Sequence, residues 1–548
     1  MRLQEGELLA LLAAVLVCAG VAWPGEIAPR SALATVPFVL AAGALGCVLH
    51  PSPAGPLGAS VAVALGTLLL SVPLSSEHDA WKRAIPVAVA GVSAGVCGAR
   101  LQSTVARRIA CAILLAGGAY VVFRGFHQWL FGFRALREAI EADVTFDAAE
   151  RKLMLDRIAL GRPWAPFSLP GLLGGYLCML VPIAAGLGLD PGVPAPRRRI
   201  ALVLATLAGG LLVVAMSLGA LASAAASLGV AMVVRSRGRA RLALASILAA
   251  IILAAGVLAT YRAHTETFAR SSVALRLSNW KAALCVWRLA PLTGVGPGSF
   301  GYFYPRFIEA GGNNTQHAHS LVMRSLAETG LLGGGSVIAV LGVAFFLLLR
   351  VRSTAILDGG LVIAAMAGLF HGLVDIDFDQ ESLALFTPFI TGLALGAAPA
   401  GVRKGSRLRG AVATLPMLLC IMPYVAHTRS RVAIEAGGDL LRRGEKDEAI
   451  LRYRQGLLVD RDSSCLRLLA AEALLDTGRP ADAVRLLEEA RALSPDRGVV
   501  RQVLAVAYAS VGRTADAQEE ARAALRLIPW DQAARGTYER LIGPPRSR

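Results

Sequence analysis

Nineteen apolar or small residues follow one another in LLGGGSVIAVLGVAFFLLL, residues 331–349. A membrane-spanning helix needs about 20 mostly apolar residues, so this stretch predicts a span. The whole chain has the same character: 55% of its 548 residues are hydrophobic and only 17% are charged. Soluble proteins carry about 25% charged residues. We therefore expect an all-α protein whose main body crosses a membrane many times.

Twelve further segments are candidate spans. They are residues 7–23, 32–50, 56–74, 84–99, 108–124, 167–189, 200–216, 218–234, 242–260, 356–374, 384–400 and 410–426. The predicted body is a polytopic transmembrane helix bundle of 12 to 13 spans over residues 1–426. Its first helix is expected to be retained, because the charged segment before it is too weak for a signal peptide.

Lysine and arginine concentrate in alternate loops, which sets the orientation because cytoplasmic loops are rich in these residues. With the N-terminus inside, the outer loop DIDFDQES, residues 375–382, holds no basic residue. This topology places residues 125–166, residues 261–330 and everything after about residue 427 outside. In a bacterium with two membranes, these segments face the periplasm. The net charge of +17 is attributed to the inner loops, and no nucleic-acid binding is expected.

A polar run just before the span at 331–349 carries two histidines, His317 and His319, in NNTQHAHSLVMRSLAETGLLGG, residues 313–334. Histidine has a pKa near 6.5, which suits a general base. Upstream, Arg276 and Trp280 are four residues apart and share a helix face. By itself, an isolated histidine is more often a packing or capping residue.

The tail from residue 430 to 548 contains a repeat. The glycines at 444, 478 and 512 are 34 residues apart, and so are the alanines at 449, 483 and 517. A 34-residue helix-turn-helix unit resembles the tetratricopeptide repeat, which stacks into an α-solenoid. We expect a repeat domain at 430–548 that ends in a cap helix at 530–543. It could bind a protein or glycan partner, or serve as a spacer or self-association module.

The order of these motifs resembles the O-antigen ligase and O-antigen polymerase superfamily, in which some members carry a tetratricopeptide tail. The family's ligase signature is histidine, then Asn, Ser or Gln, then nine residues, then Gly-x-x-Gly. His319-Ser320 with Gly330 and Gly333 matches this signature in full. The resemblance covers about residues 160–400 and includes LFHGLVDIDFD, which begins at Leu369.

The resemblance implies a glycosyltransferase of the bacterial inner membrane. The donor would be a glycan linked to undecaprenyl diphosphate, and the acceptor would be a glycan, a lipid A core sugar or a protein hydroxyl. Family members are understood to need no metal or other cofactor. The eight cysteines contain no CxxC pair, so neither a structural zinc site nor a disulfide framework is expected.

The resemblance also assigns roles to residues. His319 would be the general base, and His317 would orient it or share the role. Arg276 and Arg162 would bind the donor diphosphate, because arginine's planar fork binds phosphate oxygens in pairs. Arg162 matches more loosely and also fits a helix-end arginine at the headgroups.

Other residues would support the site. Trp280, Ser320, Gly330 and Gly333 belong to the motif itself, and His371 and Asp375 follow it in the next outer loop. The family often has Ser-Arg-Gly where this chain has Ser217-Leu218-Gly219. The missing diphosphate contact would be lost or supplied elsewhere, for instance by Arg124 or Arg306.

Two other functions fit the sequence less well. One is a membrane-anchored repeat scaffold for envelope polysaccharide assembly, and the other is a lipid-linked glycan transporter. A transporter would place charged residues within its spans, and few are present. The motifs do not separate a ligase, a polymerase and a protein O-glycosyltransferase.

Overall fold

The computed structural model describes residues 5–22, 29–49, 56–73, 75, 80–142, 148–238, 241, 272–308, 315–397 and 414–544. Every regular element within these ranges is a helix, which confirms the all-α prediction. The chain divides into two compact units. The first holds residues 1–61, 86–265 and 339–421, and the second holds residues 62–85, 266–338 and 422–548. The second unit therefore combines the repeat tail with most of the predicted outer loop at 261–330.

Helices overlap the predicted spans that the structure describes, and at the predicted span 410–426 a helix continues past residue 426 into the tail. Their bounds are Glu5–Ala22, Pro29–Leu49, Pro56–Ser71, Trp81–Ala99, Thr104–His127, Pro170–Leu189, Ala195–Val214, Leu218–Arg235, Leu321–Leu349, Ile356–Gly372, Glu381–Leu395 and Ile421–Arg442. The predicted outer loop at 125–166 contains a π-helical turn, Gln128–Gly132, and two helices, Phe133–Ala142 and Ala148–Ala159. The predicted span at 242–260 lies outside the described residues.

Several of these helices have the length and composition of membrane spans. Four stretches of the described chain are long and apolar enough to cross a membrane: Thr104–Ala142, Pro170–Leu189, Leu218–Arg235 and Leu321–Leu349. Five shorter apolar helices lie at Glu7–Ala22, Thr35–Leu45, Leu57–Ser71, Ile356–Gly372 and Glu381–Leu395. The described chain thus carries several helices of the length and composition that a membrane-embedded body requires.

Glycine lets helices of the first unit come into backbone contact. A Cβ atom added at Gly98 would lie 2.2 Å from the Phe389 carbonyl oxygen, and one at Gly392 would lie 2.0 Å from the Gly95 carbonyl oxygen. No side chain fits at such distances. Membrane helices associate through small residues of this kind, because lipid tails provide no hydrophobic force between helices.

The tail is a stack of helix pairs with the predicted period. The helices that follow Ile421–Arg442 are Lys446–Val459, Ser464–Asp476, Pro480–Leu493, Gly498–Ser510, Thr514–Leu527 and Gln532–Ile542. The repeat glycines 444, 478 and 512 have φ of +81°, +73° and +79°, a left-handed conformation that favours glycine. The repeat alanines 449, 483 and 517 are fully buried. The last helix matches the predicted cap.

Candidate functional site

Two helices carry the predicted motif. The arginine helix, Ser272–Trp287, holds Arg276 and Trp280 one turn apart, and the signature helix, Leu321–Leu349, follows the two histidines. Trp280 Nε1 donates a hydrogen bond of 3.3 Å to the carbonyl oxygen of His319. This bond joins residues that are 39 positions apart. It places the arginine helix beside the backbone of His319, the predicted base.

Ser320 fixes the start of the signature helix. Its hydroxyl accepts a hydrogen bond of 3.4 Å from the Met323 backbone N–H, and its carbonyl accepts one of 2.9 Å from the Arg324 N–H. Serine is a favoured cap because its side-chain oxygen satisfies an N–H that the first helical turn leaves without a partner. The serine of the signature therefore sets the start of the helix at Leu321, two residues after His319.

His319 itself has a left-handed backbone, with φ of +53°. Few residues other than glycine adopt this conformation, although histidine does so more often than most. Such a backbone costs about 1–3 kcal/mol and persists only where neighbouring contacts impose it. Trp280 and the Ser320 cap supply those contacts. The side chains of His319 and His317 are both half-buried, and the His317 N–H donates to Thr315 Oγ1 over 3.2 Å.

Gly330 interrupts the signature helix. Its φ of +62° and ψ of −162° are not helical, and a Cβ atom there would lie 2.3 Å from the carbonyl carbon of Leu292. At this break, the Leu331 N–H donates to the Pro291 carbonyl over 2.9 Å, and the Leu332 N–H donates to the Leu292 carbonyl over 3.3 Å. The helix thus opens at Gly330, and its next two amides donate hydrogen bonds to carbonyl groups of the loop before it.

The glycine loop, residues 291–299, contacts the turn before that break as well. The Val295 N–H donates to the Ala327 carbonyl over 3.1 Å, and the Gly296 N–H donates to the Glu328 carbonyl over 2.8 Å. Gly294 has φ of +72°, and a Cβ atom on it would lie 2.2 Å from the backbone of Glu328. The PLTGVGPG motif therefore contacts the Gly-x-x-Gly motif, and the turn before it, through backbone hydrogen bonds.

Gly333 has a different local role. A Cβ atom there would lie 2.1 Å from Thr329 Oγ1, and that hydroxyl donates a hydrogen bond of 2.6 Å to the Ser325 carbonyl. Glycines in membrane helices commonly allow close packing between helices. The structure gives another reason: Gly330 permits the break, and Gly333 leaves room for Thr329 beside it.

Sequence reasoning missed Glu328, a buried carboxylate of the signature helix. Its Oε1 accepts a hydrogen bond of 3.3 Å from the Phe300 N–H, and its Oε2 lies 3.1 Å from Arg324 Nε. Only 5% of Glu328 is exposed, so its charge is stabilised by these two partners. The spacing of four residues between Arg324 and Glu328 was the available signal, because it is typical of helical ion pairs.

The first unit holds a second polar cluster. His371 Nδ1 lies 2.7 Å from Asp377 Oδ2, and His371 Nε2 lies 3.8 Å from Asp375 Oδ2. All three side chains are buried. Cβ atoms added at Gly175 and Gly171 would lie 2.5 Å from His371 Nδ1 and 2.5 Å from Asp375 Oδ2. Sequence reasoning named His371 and Asp375, but the nearer carboxylate is Asp377.

Arg162 lies at the turn where the family's usual arginine is missing. Its Nε donates a hydrogen bond of 3.0 Å to the carbonyl of Ala215, three residues before Leu218. A Cβ atom added at Gly219, the next residue, would lie 3.5 Å from His371 Nε2. In the first unit, the structure therefore brings Arg162, the turn and the His371 cluster to one place.

The site residues predicted from the sequence fall into two groups. The second unit holds Arg276, Trp280, His317, His319, Ser320, Gly330 and Gly333, and the first unit holds Arg162, His371 and Asp375. Arg306, which was considered as a substitute diphosphate ligand, instead pairs with Asp496. Within the described ranges, no three His, Cys, Asp or Glu side chains are arranged to hold a metal ion.

Comparison with known families gives a match for the region that holds the histidine motif. The family model described as O-antigen ligase matches residues 201–338. These residues are similar to an O-antigen ligase domain. The matched range includes Arg276, both histidines and the two signature glycines. The O-antigen ligase domain indicates glycan transfer at a membrane, by a glycosyltransferase of this general type.

The repeats are confirmed in the same way. A tetratricopeptide-repeat model matches residues 474–540. Among solved structures, the second tetratricopeptide domain of the human RPAP3 protein, determined by NMR with an HSP70 peptide, is similar at 19% identity. The alignment covers 21% of this chain and 97% of that one, with a TM-score of 0.21. Curated proteins gave no match. The O-antigen ligase domain is thus followed by a tetratricopeptide tail.

Proposed function

We propose that the protein transfers or polymerises glycan from an undecaprenyl-diphosphate-linked donor onto an acceptor hydroxyl at the outer face of the bacterial inner membrane. The observation that carries this proposal is the O-antigen ligase match at 201–338, together with the position of His319 at the start of the signature helix. The outer loops and the repeats would face the periplasm. The acceptor would be a glycan chain, a lipid A core sugar or a protein hydroxyl.

His319 is the general base in this proposal. The acceptor oxygen attacks the anomeric carbon of the donor sugar, and the bond from that carbon to the diphosphate breaks. The acceptor proton passes to the His319 imidazole, and the lipid diphosphate leaves. A positioned base typically contributes about 10²–10⁴-fold to such a rate. Support comes from the fixed backbone of His319, which is held by its neighbours at φ of +53°.

Arginine stabilises the leaving diphosphate in this scheme. Arg276 lies one helical turn before Trp280, whose indole contacts His319. Arg162 belongs to the other unit, and its guanidinium already donates to the Ala215 carbonyl through Nε. A planar guanidinium can bind two phosphate oxygens at once. We assign the contact with the diphosphate to Arg276.

Substitution of His319 tests the proposal. His319→Ala removes the imidazole but also disfavours the left-handed backbone. His319→Gly removes the imidazole and accepts φ of +53° without strain. We expect both variants to lose transfer by about 10²–10⁴-fold and to retain donor binding, and we expect His317→Ala to be milder. Added imidazole should restore part of the activity of His319→Gly.

The assay uses purified protein, an undecaprenyl-diphosphate-linked glycan from the same organism and its acceptor. Near-normal transfer by His319→Gly would show that the imidazole is not the base. Attention would then move to His317 and to the cluster at His371. If the wild-type body never transfers glycan while the repeats still bind a partner, the scaffold function is the better description.

A further inference from the structure

We propose that the tetratricopeptide domain is a positioning element of the active-site loop, bound to that loop through one charged edge. This docking edge consists of the turns between successive repeats, residues 459–464 and 494–498. The idea rests on the proposed function, because it assumes that the loop with His319 is catalytic. It assigns the repeats a role within the chain itself, in addition to any external partner.

The first contact is a buried ion pair. Lys82 Nζ lies 2.6 Å from Asp460 Oδ1 and 3.6 Å from Asp462 Oδ2. Lys82 is 7% exposed and Asp460 is 4% exposed, so both charged groups are buried away from solvent. Breaking one side of a buried pair leaves an uncompensated charge, which is strongly unfavourable. The segment at Lys82 is thereby fixed to the turn after the first helix pair.

The second contact involves the segment between the glycine loop and the histidines. This aromatic turn consists of the short helix Phe300–Phe303 and the 3-10 helix Tyr304–Phe307. Arg306 on the aromatic turn forms an ion pair with Asp496. In return, the Arg497 guanidinium lies over the Tyr302 ring, 5.2 Å from its centre. Each side therefore contributes a cation to this contact: Arg306 from the aromatic turn and Arg497 from the repeats.

The acidic residues recur with the repeat. Asp462 and Asp496 are 34 residues apart, so they occupy the same position in consecutive repeats, and each one faces a cation of the outer segments. The third repeat has Trp530 at that position. Arg497 also donates to Ser464 Oγ over 3.0 Å, which connects the two turns. The docking edge is thus a feature of the first two repeats.

The opposite edge of the repeats behaves differently. The turns within each repeat carry Asp482 and Asp516, and these carboxylates pair with arginines of their own turns, Arg479 and Arg513. The hydrogen bond from Arg479 lowers the pKa of the Asp482 carboxyl. Asp482 is therefore a charged, paired carboxylate of the same domain that takes no part in the docking edge.

The aromatic turn reaches both parts of the candidate site. Tyr304 Oη donates a hydrogen bond of 2.7 Å to Asn279 Oδ1, and Asn279 precedes Trp280 on the arginine helix. A Cβ atom added at Gly301 would lie 3.0 Å from Gln316 Cβ, next to His317. By holding the aromatic turn, Asp496 restrains the arginine helix and the histidine segment together. Asp496 and Arg306 are accordingly positioning residues.

Charge exchange in the full-length protein tests this inference. Asp496→Arg and Arg306→Asp each place like charges together, and the double variant restores an opposite pair. For each single variant we expect amide hydrogen exchange in residues 300–308 to be about ten- to a hundredfold faster. We expect kcat to fall by a similar factor, with the KM for donor unchanged. The double variant should recover both, and Asp482→Arg should resemble wild type.

The outcomes separate the two proposals. Wild-type exchange in both single variants would overturn the positioning role, whatever the transfer assay shows. Restored exchange without restored kcat in the double variant would also overturn it, because Arg306 would then act on substrate directly. A wild-type protein without transfer activity would refute the proposed function. The hydrogen-exchange measurement would still show whether the repeats hold the loop in place.

Discussion

Replacing Gly330 by alanine should disconnect the glycine loop from the signature helix. The backbone at Gly330, with φ of +62° and ψ of −162°, lies in a region that is essentially restricted to glycine, and strain of this kind costs about 1–3 kcal/mol. The new methyl group would also lie 2.3 Å from the Leu292 carbonyl carbon. Because the obstacle is backbone, no side-chain rotation can relieve it.

The magnitude follows from the contacts that must separate. The Leu331 and Leu332 amides donate across the break to the Pro291 and Leu292 carbonyls, and each such bond contributes about 0.5–1.5 kcal/mol net. Together with the strain, the local cost is about 2–6 kcal/mol. A cost of about 3 kcal/mol corresponds to roughly a hundredfold increase in the open population.

Hydrogen exchange at Leu331 and Leu332 measures this opening directly. We expect roughly hundredfold faster exchange of those two amides in Gly330→Ala, together with reduced transfer. The matched control is Gly335→Ala in the same helix, where a Cβ atom has no heavy atom within 4 Å. That change should be neutral or stabilising by up to about 1 kcal/mol, because alanine favours helix. Equal exchange in Gly330→Ala and wild type would refute the reasoning.

Two further predictions concern the diphosphate and the membrane. Arg276→Lys should lower transfer by about ten- to a hundredfold, because a point charge cannot replace the fork. Chelators should leave wild-type activity intact; a loss with EDTA that added metal restores would mean that a cation holds the phosphates. Single cysteines placed at residues 311 and 478 should both react with an impermeant reagent from the outside. Labelling of residue 478 from the cytoplasm would remove the span predicted at 410–426.

The sequence alone was sufficient for features whose determinants are close together in the chain. Apolar runs of span length predicted the membrane helices, and a period of 34 residues predicted the repeat domain with its turn glycines and cap. His319-Ser320 and the Gly-x-x-Gly motif pointed to the candidate site. These signals are local because a helix, its cap and a repeat turn are determined within a few residues of one another.

Only the tertiary structure decided which distant groups meet. Lys82 and Asp460 are 378 residues apart, and each looks like an ordinary solvated charge in the sequence. Whether Asp375 or Asp377 lies nearer His371 depends on the conformation of the short turn that carries both carboxylates. The need for glycine at position 330 follows from the contact between the Gly330 backbone and the loop at Leu292. Such contacts depend on how separate backbone segments pack, and residue type and spacing do not specify that packing.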